Sequence, residues 1–164
     1  HLLPFCCMVR AFGAVLLAVR LASCSVRMDC KLAVVARSDL RMSAGKLAAQ
    51  VGHAVHDAVT ECPKGKLEAW EEDGSMIVVL QVDSEAALAG LTAAAKSARL
   101  QTSNVRDEGR TEVEDETWTV LAIGPDASAK VDSVTGRLRL YQDEAAELRE
   151  RLAAAEAELA KLKA

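Results

Sequence analysis

Apolar residues along this chain form two short continuous runs separated by longer periodic stretches. Residues 31–37 (KLAVVAR) and 76–82 (MIVVLQV) are almost continuously apolar, which is typical of strands buried on both faces of a sheet. Between these runs, apolar residues recur at i, i+4 and i+7 from Leu47 to Val59, and this spacing predicts an amphipathic helix. Ser43 is placed to cap that helix, which we expect to run to about Thr60.

The rest of the domain continues the alternation of strands and helices. Its remaining predicted elements are a short helix over residues 66–72 stopped by Gly74, a helix over 85–98 capped by Ser84, and strands over 100–106 and 118–123, the last ending at Gly124 and Pro125. Strand–helix–strand repeats are typical of right-handed crossovers in a parallel sheet. The link between the last two strands has only about eleven residues and no helical pattern, so we expect the fourth strand to be antiparallel.

The predicted fold class is α/β. We expect a three-layer sandwich with a mixed four-stranded sheet between helices, followed by a C-terminal extended helix. From residue 143 onward, Leu and Ala recur at alternating steps of three and four among Glu, Arg and Lys, which is a heptad pattern. Because isolated helices of this length are marginal, two interpretations stay open: a solvated tail, or a weak coiled coil with a second copy or a partner helix. The predicted domains are a leader (1–27), a central domain (28–142) and the heptad helix (143–164).

The leader has a composition of its own. It is apolar, contains Arg10, Arg20 and Arg27, and has no acidic residue, as organellar transit segments and signal sequences do. Its arginines divide it into runs shorter than the roughly 20 apolar residues that a bilayer requires, so no stable membrane span is expected. Met28 stands just before the first strand, so the leader is equally well interpreted as sequence upstream of the domain. We expect a cytoplasmic protein, with the mitochondrion or another organelle as the alternative.

Composition narrows the classes of function. The formal charge of −4 argues against a wholly basic nucleic-acid binder, so a nucleic acid would have to be bound by a local basic patch. The five cysteines have neither zinc-ligand spacing nor the arrangement of a disulfide framework, and they fit a reducing compartment. The first strand is not followed by a Gly-rich phosphate loop, which argues against a nucleotide-binding domain. The sequence predicts no metal and no cofactor.

Polar residues converge at the edge of the predicted sheet where the parallel strands end, which is where open sheets bind ligands. Arg37 and Asp39 lie at the end of the first strand, and Asp107 lies at the end of the third. An antiparallel fourth strand would begin at the same edge, which adds Thr119, and Thr111 lies in the connecting loop. Four separate segments therefore supply polar groups to one place.

The first predicted helix contributes a stripe of polar residues to this edge. Lys46 lies in its first turn, where a cation opposes the helix dipole at a cost of about 0.3 to 1 kcal/mol, and this placement indicates a functional role. Gln50 and His53 follow at i+4 and i+7 on the same stripe. Both also have structural interpretations, Gln50 at a solvated boundary and His53 at the edge of the core. The hypothesis to test is that Lys46 and Asp107 are neighbours in one cleft.

Four segments of the chain resemble a known enzyme family. These segments are VVARSDLRMSAGKLAAQVGHA, RDEGRT, TWTVLAIGP and KVDSVTGRLRLY. Their order and spacing resemble those of the archaeal and eukaryotic, or type II, peptidyl-tRNA hydrolases. The resemblance covers residues 31–141 and implies the same mixed four-stranded sheet between helices. It implies a metal-free esterase of translation, which hydrolyses the ester of peptidyl-tRNA and releases the peptide and tRNA for recycling.

The resemblance and the sheet edge together give the candidate site. The candidate catalytic residues are Lys46, Asp107, Thr111 and Thr119, as the resemblance implies. The candidate substrate-binding residues are Arg37, Asp39, Arg41, Gln50, His53, Arg106 and Arg110. The arginines among them are expected to contact tRNA phosphates, which position the substrate and make its binding sensitive to salt.

A non-catalytic adaptor, which binds tRNA or a partner on the same fold, is the alternative function. The presence of all four candidate catalytic residues favours the enzyme, because an adaptor has no physical need for them. Two departures from the family pattern bear on tRNA affinity. Glu114, Asp115 and Glu116 occupy a loop where the family often has a Pro-Gly or small polar turn, and Ile77 stands where many members carry lysine.

Overall fold

A computed structural model describes residues 29–142 and 144–163 of the chain. The predicted leader and Met28, the predicted start of the domain, lie outside these ranges. In chain order the elements are β1 (Cys30–Arg37), α1 (Ala44–Thr60), α2 (Lys64–Glu72), β2 (Met76–Val82), α3 (Glu85–Ser97), β3 (Thr102–Glu108), β4 (Asp115–Ala127), α4 (Ser128–Thr135), β5 (Arg139–Leu140) and α5 (Glu144–Lys163). The alternation of strands and helices predicted over the first half of the domain is confirmed.

The strands form one mixed sheet in the order β3-β4-β1-β2-β5. β1 and β2 are parallel, whereas β4 runs antiparallel to both β1 and β3, as the short link before it predicted. The predicted count of four strands is wrong, because β5 adds a fifth by pairing antiparallel with Leu80 and Gln81 of β2. A two-residue strand is too short to leave an alternating pattern in the sequence. The short helix α4, which starts directly after β4 without a side-chain cap, was also not predicted.

Helices cover both faces of the sheet, so the three-layer arrangement is confirmed. On one face, Leu32 and Val34 of β1 pack in a cluster with residues of α1 and α2. On the other face, Ala33 and Val35 pack in a cluster with residues of α3 and α4. These four β1 side chains are fully buried, as expected for a central strand with an apolar run.

β4 is longer than its sequence predicts, because it continues through Gly124 and Pro125. Gly124 has φ +103°, and a Cβ atom there would lie 2.9 Å from the backbone oxygen of Lys31. The register of β4 against β1 shifts between Lys31 and Ala33, so the glycine lies at an irregularity where the two backbones approach closely. The Gly-Pro pair therefore bends the strand without ending it.

A second irregularity in β4 affects the candidate site directly. Val105 pairs with Val120 while the next residue of β3, Arg106, pairs with Trp118, so Thr119 is an extra residue in β4. Such a bulge breaks the strict alternation of side chains between the two faces. Val120 packs in the cluster under α1, and the Thr119 hydroxyl also reaches α1 through Gln50. The bulge thus turns Thr119 toward the helix that carries Lys46.

The C-terminal heptad segment is helical, as predicted, over Glu144–Lys163. Three of its leucines, Leu148, Leu152 and Leu159, are between 51% and 60% exposed. The coiled coil predicted from the heptads stays a prediction. Within residues 29–142 and 144–163, no helix combines the length and the hydropathy required to cross a bilayer.

Candidate active site

Lys46 and Asp107 form an ion pair at the edge of the sheet. Lys46 lies in the first turn of α1, which begins after Ser43, whose hydroxyl accepts a hydrogen bond from the Lys46 N–H at 3.3 Å. The Lys46 Nζ donates to Oδ2 of Asp107, and the two side chains are only 12% and 6% exposed. Asp107 belongs to β3 itself, not to the loop after it, because β3 extends two residues further than predicted. The structure places the two residues as the hypothesis required.

Gln50 connects Asp107 to Thr119. Its Nε2 donates to Asp107 Oδ2 at 2.8 Å, which leaves its Oε1 to accept from the Thr119 hydroxyl at 2.5 Å. Gln50 is 5% exposed and Thr119 is fully buried. Gln50 is therefore a buried bridge and not a residue of a solvated boundary. Thr119 contacts Gln50 and the Val105 backbone oxygen, and it has no surface on the cleft.

The loop after β3 supplies two further contacts to the ion pair. The Gly109 N–H donates to Asp107 Oδ1 at 2.9 Å, and Lys46 Nζ also donates to the Thr111 hydroxyl at 2.9 Å. Gly109 has φ +67°, and a Cβ atom at this position would lie 2.5 Å from the Asp115 backbone nitrogen. Only glycine fits this turn without moving the backbone, so the turn that brings Thr111 back to Lys46 depends on Gly109.

These contacts lower the pKa of Asp107. The hydrogen bond from Lys46 has the largest effect, and it outweighs the burial of the carboxyl, which acts in the opposite direction. The Gly109 N–H and the charges of Lys46 and His53 lower the pKa of Asp107 further. Asp107 is therefore a carboxylate at neutral pH, and it is a weaker base than an ordinary aspartate.

Glu112 fixes the same loop to the start of α1. Its carboxylate accepts from the Ser43 backbone N–H at 2.7 Å and from the Ser43 hydroxyl at 2.5 Å. These bonds lower the pKa of Glu112, and an anion here is favoured by the N-terminal end of the helix dipole. No local pattern in the sequence predicts this contact, because Ser43 and Glu112 are 69 positions apart.

A cleft of about 490 Å³ opens between α1 and β3 at this site. Its lining residues are Lys46, Ala49, Gln50, His53, Asp57, Asn104, Val105, Arg106, Asp107, Glu108, Arg110 and Thr111. His53 is exposed on the cleft wall and is not a histidine of the core edge. Three polar residues of this lining were not among the predicted site residues: Asn104, Asp57 and Glu108. They are exposed or half-exposed, and nothing in their sequence pattern distinguishes them from other polar surface residues.

The predicted substrate-binding arginines are in different environments. Arg110 lines the cleft, is 81% exposed and pairs with Glu108 at 2.7 Å. Arg106 also lines it, donates to the Glu116 backbone oxygen at 2.7 Å, and lies over the Trp118 ring at 5.5 Å.

Arg37 and Asp39 do not line the cleft, and they bind each other at 2.6 Å. Arg37 also pairs with Glu85 at 3.2 Å, and its pKa is raised, chiefly by the hydrogen bond to Asp39. A phosphate would have to compete with these two carboxylates for Arg37. Arg41 is exposed in the loop before α1, at φ 48°.

Residues that could hold a metal ion do not cluster in the described part of the chain. No group of three or more His, Cys, Asp and Glu side chains there has the required geometry. What the described site offers is an ammonium group, a carboxylate and hydroxyl groups beside a water-accessible cleft. These groups suit hydrolysis of an ester through a polarised water and a stabilised oxyanion.

Comparison with known proteins agrees with this chemistry. The family model "Peptidyl-tRNA hydrolase PTH2" matches residues 30–141. The chain is 43% identical over 111 residues to a "Peptidyl-tRNA hydrolase" of Haloquadratum walsbyi, a match that covers 68% of this chain and 99% of that protein. It is 43% identical over 114 residues to a "Probable peptidyl-tRNA hydrolase 2" of Drosophila melanogaster, covering 67% of this chain and 61% of the fly protein.

A human protein, "Peptidyl-tRNA hydrolase 2, mitochondrial", is 40% identical over 114 residues. This match covers 68% of the chain and 64% of the human protein. The chain thus spans less than two thirds of the fly and human proteins and nearly all of the archaeal one.

The ion pair predicts how Asp107 titrates when Lys46 is replaced. Lys46→Ala removes the hydrogen bond that lowers the pKa of Asp107, while the burial that raises it remains. We expect the Asp107 carboxyl to titrate at higher pH in the variant, as followed by its carboxyl carbon shift in an NMR titration. Ionised Asp107 stabilises the fold above its unfolded-state pKa, and this contribution is lost as pH falls through the lower folded-state pKa. In Lys46→Ala the folded-state pKa of Asp107 is raised, so this loss should be smaller and should be complete at a higher pH than in wild type.

The matched control is Lys64→Ala, which removes a lysine from an exposed pair with Glu68. This control should leave the Asp107 titration unchanged, because exposed pairs contribute little. An identical Asp107 pKa in wild type and Lys46→Ala would show that the ion pair does not determine the charge of the site.

Proposed function

The chain belongs to the peptidyl-tRNA hydrolase PTH2 family and is a peptidyl-tRNA hydrolase, and we propose that the pair Lys46 and Asp107 carries its reaction. The substrate is an ester between the peptide carboxyl group and a ribose hydroxyl of tRNA. The observation that carries the proposal is the contact of a nearly buried ammonium group with a nearly buried carboxylate at the cleft wall. The adaptor alternative has no use for this arrangement.

Counting donors and acceptors assigns a task to each of the two groups. The Lys46 ammonium has three donors, of which Asp107 and Thr111 take two, so one is left for the oxygen that becomes negative during attack on the ester. A carboxylate accepts about four hydrogen bonds. Asp107 Oδ2 accepts from Lys46 and Gln50, and Oδ1 accepts from Gly109, so Oδ1 keeps room for one water molecule.

The reaction then follows from these positions. A water held by Asp107 Oδ1 attacks the ester carbon, and Lys46 stabilises the oxyanion that forms. The bond from this carbon to the ribose oxygen breaks, the leaving oxygen takes up a proton, and the proton lost by the attacking water passes to solvent. Because the pKa of Asp107 is lowered, the carboxylate contributes by orienting the water more than by removing its proton.

The remaining candidates support this pair. Thr111 holds the Lys46 ammonium from the loop side and lines the cleft, where it can also bind the ester or the water. Thr119 and Gln50 are positioning residues, because Thr119 is fully buried and acts on Asp107 through the Gln50 amide. This chain of hydrogen bonds fixes the Asp107 carboxylate in one orientation.

Binding of tRNA is proposed to use the exposed arginines near the cleft. Arg110, Arg106 and Arg41 are exposed, and Arg110 and Arg106 each pair with one carboxylate. The Arg37 side chain is only 12% exposed and is paired with two carboxylates. Glu112 should repel a phosphate backbone less than a free carboxylate would, because both of its oxygens accept hydrogen bonds from Ser43. Of the acidic groups named above, Glu114, Asp115 and Glu116 remain exposed.

Cytoplasm is the proposed compartment, and the mitochondrion or another organelle is the alternative. The printed name of the human relative supports the alternative, and the arginine-containing leader is compatible with it. The leader lies outside the described residues, so a reporter fused to residues 1–27 is the direct test of targeting.

The heptads of α5 are proposed to join two copies of the chain in parallel. Leu148, Leu152 and Leu159 are exposed along the helix at the spacing of a coiled-coil seam. Charges beside the seam are complementary in a parallel pair, since Arg151 of one copy would lie near Glu156 of the second copy, five positions further along. A helix of 20 residues with alanine at two of its six seam positions makes a weak pair.

Asp107→Asn tests the catalytic assignment. The amide cannot hold Lys46 by charge and orients a water differently, so kcat for release of tRNA from peptidyl-tRNA should fall by about 10² to 10⁴. Asp57→Asn changes a carboxylate on the opposite, α1 wall of the same cleft and should keep kcat within about twofold of wild type. Retention of wild-type kcat by Asp107→Asn would remove this residue from the mechanism, and a wild-type chain without turnover would favour the adaptor.

Arg110→Ala tests the contact with tRNA. Loss of one phosphate contact should raise KM and reduce the slope of log affinity against log salt concentration by about 1, with little change in kcat. Lys96→Ala removes an exposed cation from the last turn of α3, at the other end of the sheet, and serves as the control. Equal salt slopes for wild type and Arg110→Ala would place tRNA elsewhere.

Leu152→Glu tests the proposed pairing of α5. A buried charge in the seam should convert any dimer of the full chain to monomer in sedimentation velocity at micromolar concentrations. Ala153→Glu adds the same charge one position away, outside the seam, and should leave the dimer intact. A wild-type chain that is monomeric throughout the concentration range would contradict the proposal.

A further inference from the structure

The outer edge of β3 exposes backbone hydrogen-bonding groups. β3 stands at one end of the strand order, so no other strand among the described residues pairs with that edge. The Gln101 backbone oxygen accepts from Gly124 N–H at 3.0 Å, and the Val105 backbone oxygen lies 3.2 Å from the Thr119 hydroxyl. Residues 101 and 105 therefore face β4. Because backbone groups alternate between the two edges of a strand, Asn104 and Arg106 direct their N–H and C=O groups outward.

The cleft runs along this edge and not along a face of the sheet. It is lined by five consecutive residues of β3, from Asn104 to Glu108. Side chains of a strand alternate between two faces, so a cavity that contacts every residue in turn must follow the backbone edge. At about 3.4 Å per residue, these positions span roughly 13 Å, which matches three or four residues of an extended chain.

The walls of the cleft keep this edge open. α1 forms the opposite wall with Ala49, His53 and Asp57, and the small Ala49 side chain leaves space in front of β3. The Arg106 side chain is held by the Glu116 backbone oxygen and by the Trp118 ring, and so it does not cover its own backbone. An extended chain could therefore reach the outward groups of β3.

We infer that the peptide part of the substrate binds along β3 as an added strand, through the outward backbone groups of Asn104 and Arg106. This inference rests on the proposed function. Peptidyl-tRNAs differ in their side chains and share only the peptide backbone, and strand addition recognises a backbone independently of sequence. The same edge therefore serves every peptide whose residues carry backbone N–H groups.

The position of the reacting groups determines the direction of this strand. The ester carbon joins the peptide C-terminus to tRNA and must lie beside Lys46 and Asp107, near the end of β3. The rest of the peptide then extends back along the cleft toward Asn104. A chain whose C-terminus lies at Asp107 and whose earlier residues lie at Asn104 runs parallel to β3.

A scan of backbone N-methylation on the substrate tests the added strand. The substrates are tetrapeptidyl-tRNAs of one sequence, each carrying a single N-methyl group. Methylation removes an N–H donor, and only every second residue of a bound strand directs its N–H at β3. We expect kcat/KM to fall about tenfold at alternate positions and to change less than about twofold at the positions between them. Equal losses at all positions, or no loss at any, would overturn the inference.

A pair of variants tests the same contact from the protein side. Asn104→Pro removes an outward N–H without removing a bond to β4, whereas Asn104→Ala keeps the backbone intact. We expect Asn104→Pro to lower kcat/KM for tetrapeptidyl-tRNA about fivefold to tenfold, and to have little effect on an N-acetylaminoacyl-tRNA, which is too short to reach residue 104. Asn104→Ala measures the effect of losing the side chain alone, and on tetrapeptidyl-tRNA its kcat/KM should stay above that of Asn104→Pro.

The two substrates separate the possible failures. Equal effects of Asn104→Pro on the short and long substrates would overturn the inference and leave the proposed function standing. A wild-type chain that hydrolyses neither substrate would instead overturn the proposed function. If Asn104→Pro does not fold, as judged by circular dichroism, the methylation scan on the wild-type chain still decides the question.

Discussion

The ion pair of Lys46 and Asp107 is the contact on which the site depends. It joins the first turn of α1 to the end of β3 across 61 positions of sequence, in a place where each side chain is at most 12% exposed. Removing one member of such a pair leaves a buried charge without compensation, which is more costly than the pair itself is stabilising. The fold therefore has to hold α1 and β3 in a fixed relation, and the cleft between them is a result of that constraint.

The surrounding contacts all serve to orient this pair. The bulge at Thr119 turns a hydroxyl toward Gln50, and Gln50 in turn fixes one oxygen of Asp107. Gly109 fixes the other oxygen, and the loop that it begins returns Thr111 to Lys46. Glu112 then attaches this loop to the N-terminus of α1. A carboxylate with so many donors is kept ionised and oriented, which suits the placement of a water more than the removal of its proton.

Net charge alone gives a misleading view of a protein that acts on tRNA. The chain is acidic, yet Arg106 and Arg110 line the cleft and Arg41 is exposed in the loop before α1. Local placement of a few cations is sufficient, because phosphate contacts act over less than a Debye length of about 8 to 10 Å. In our proposal, the same cleft brings together two kinds of recognition, charges for the tRNA backbone and an open strand edge for the peptide.

The sequence by itself determined the central strands, their helices, the antiparallel direction of β4 and the family, because apolar periodicity, loop length and short motifs are local properties. It also predicted that Lys46 and Asp107 meet, because the start of the first helix and the end of the third strand lie at the same edge of the sheet. Only the tertiary structure decided the rest. These contacts join segments that are far apart in the chain. They are the bridge made by Gln50, the bulge at Thr119, the hydrogen bonds of Glu112 to Ser43 and the ion pair of Arg37 with Glu85. Such contacts depend on strand register and on the rotation of a helix over a sheet, and neither is encoded in any local stretch of residues.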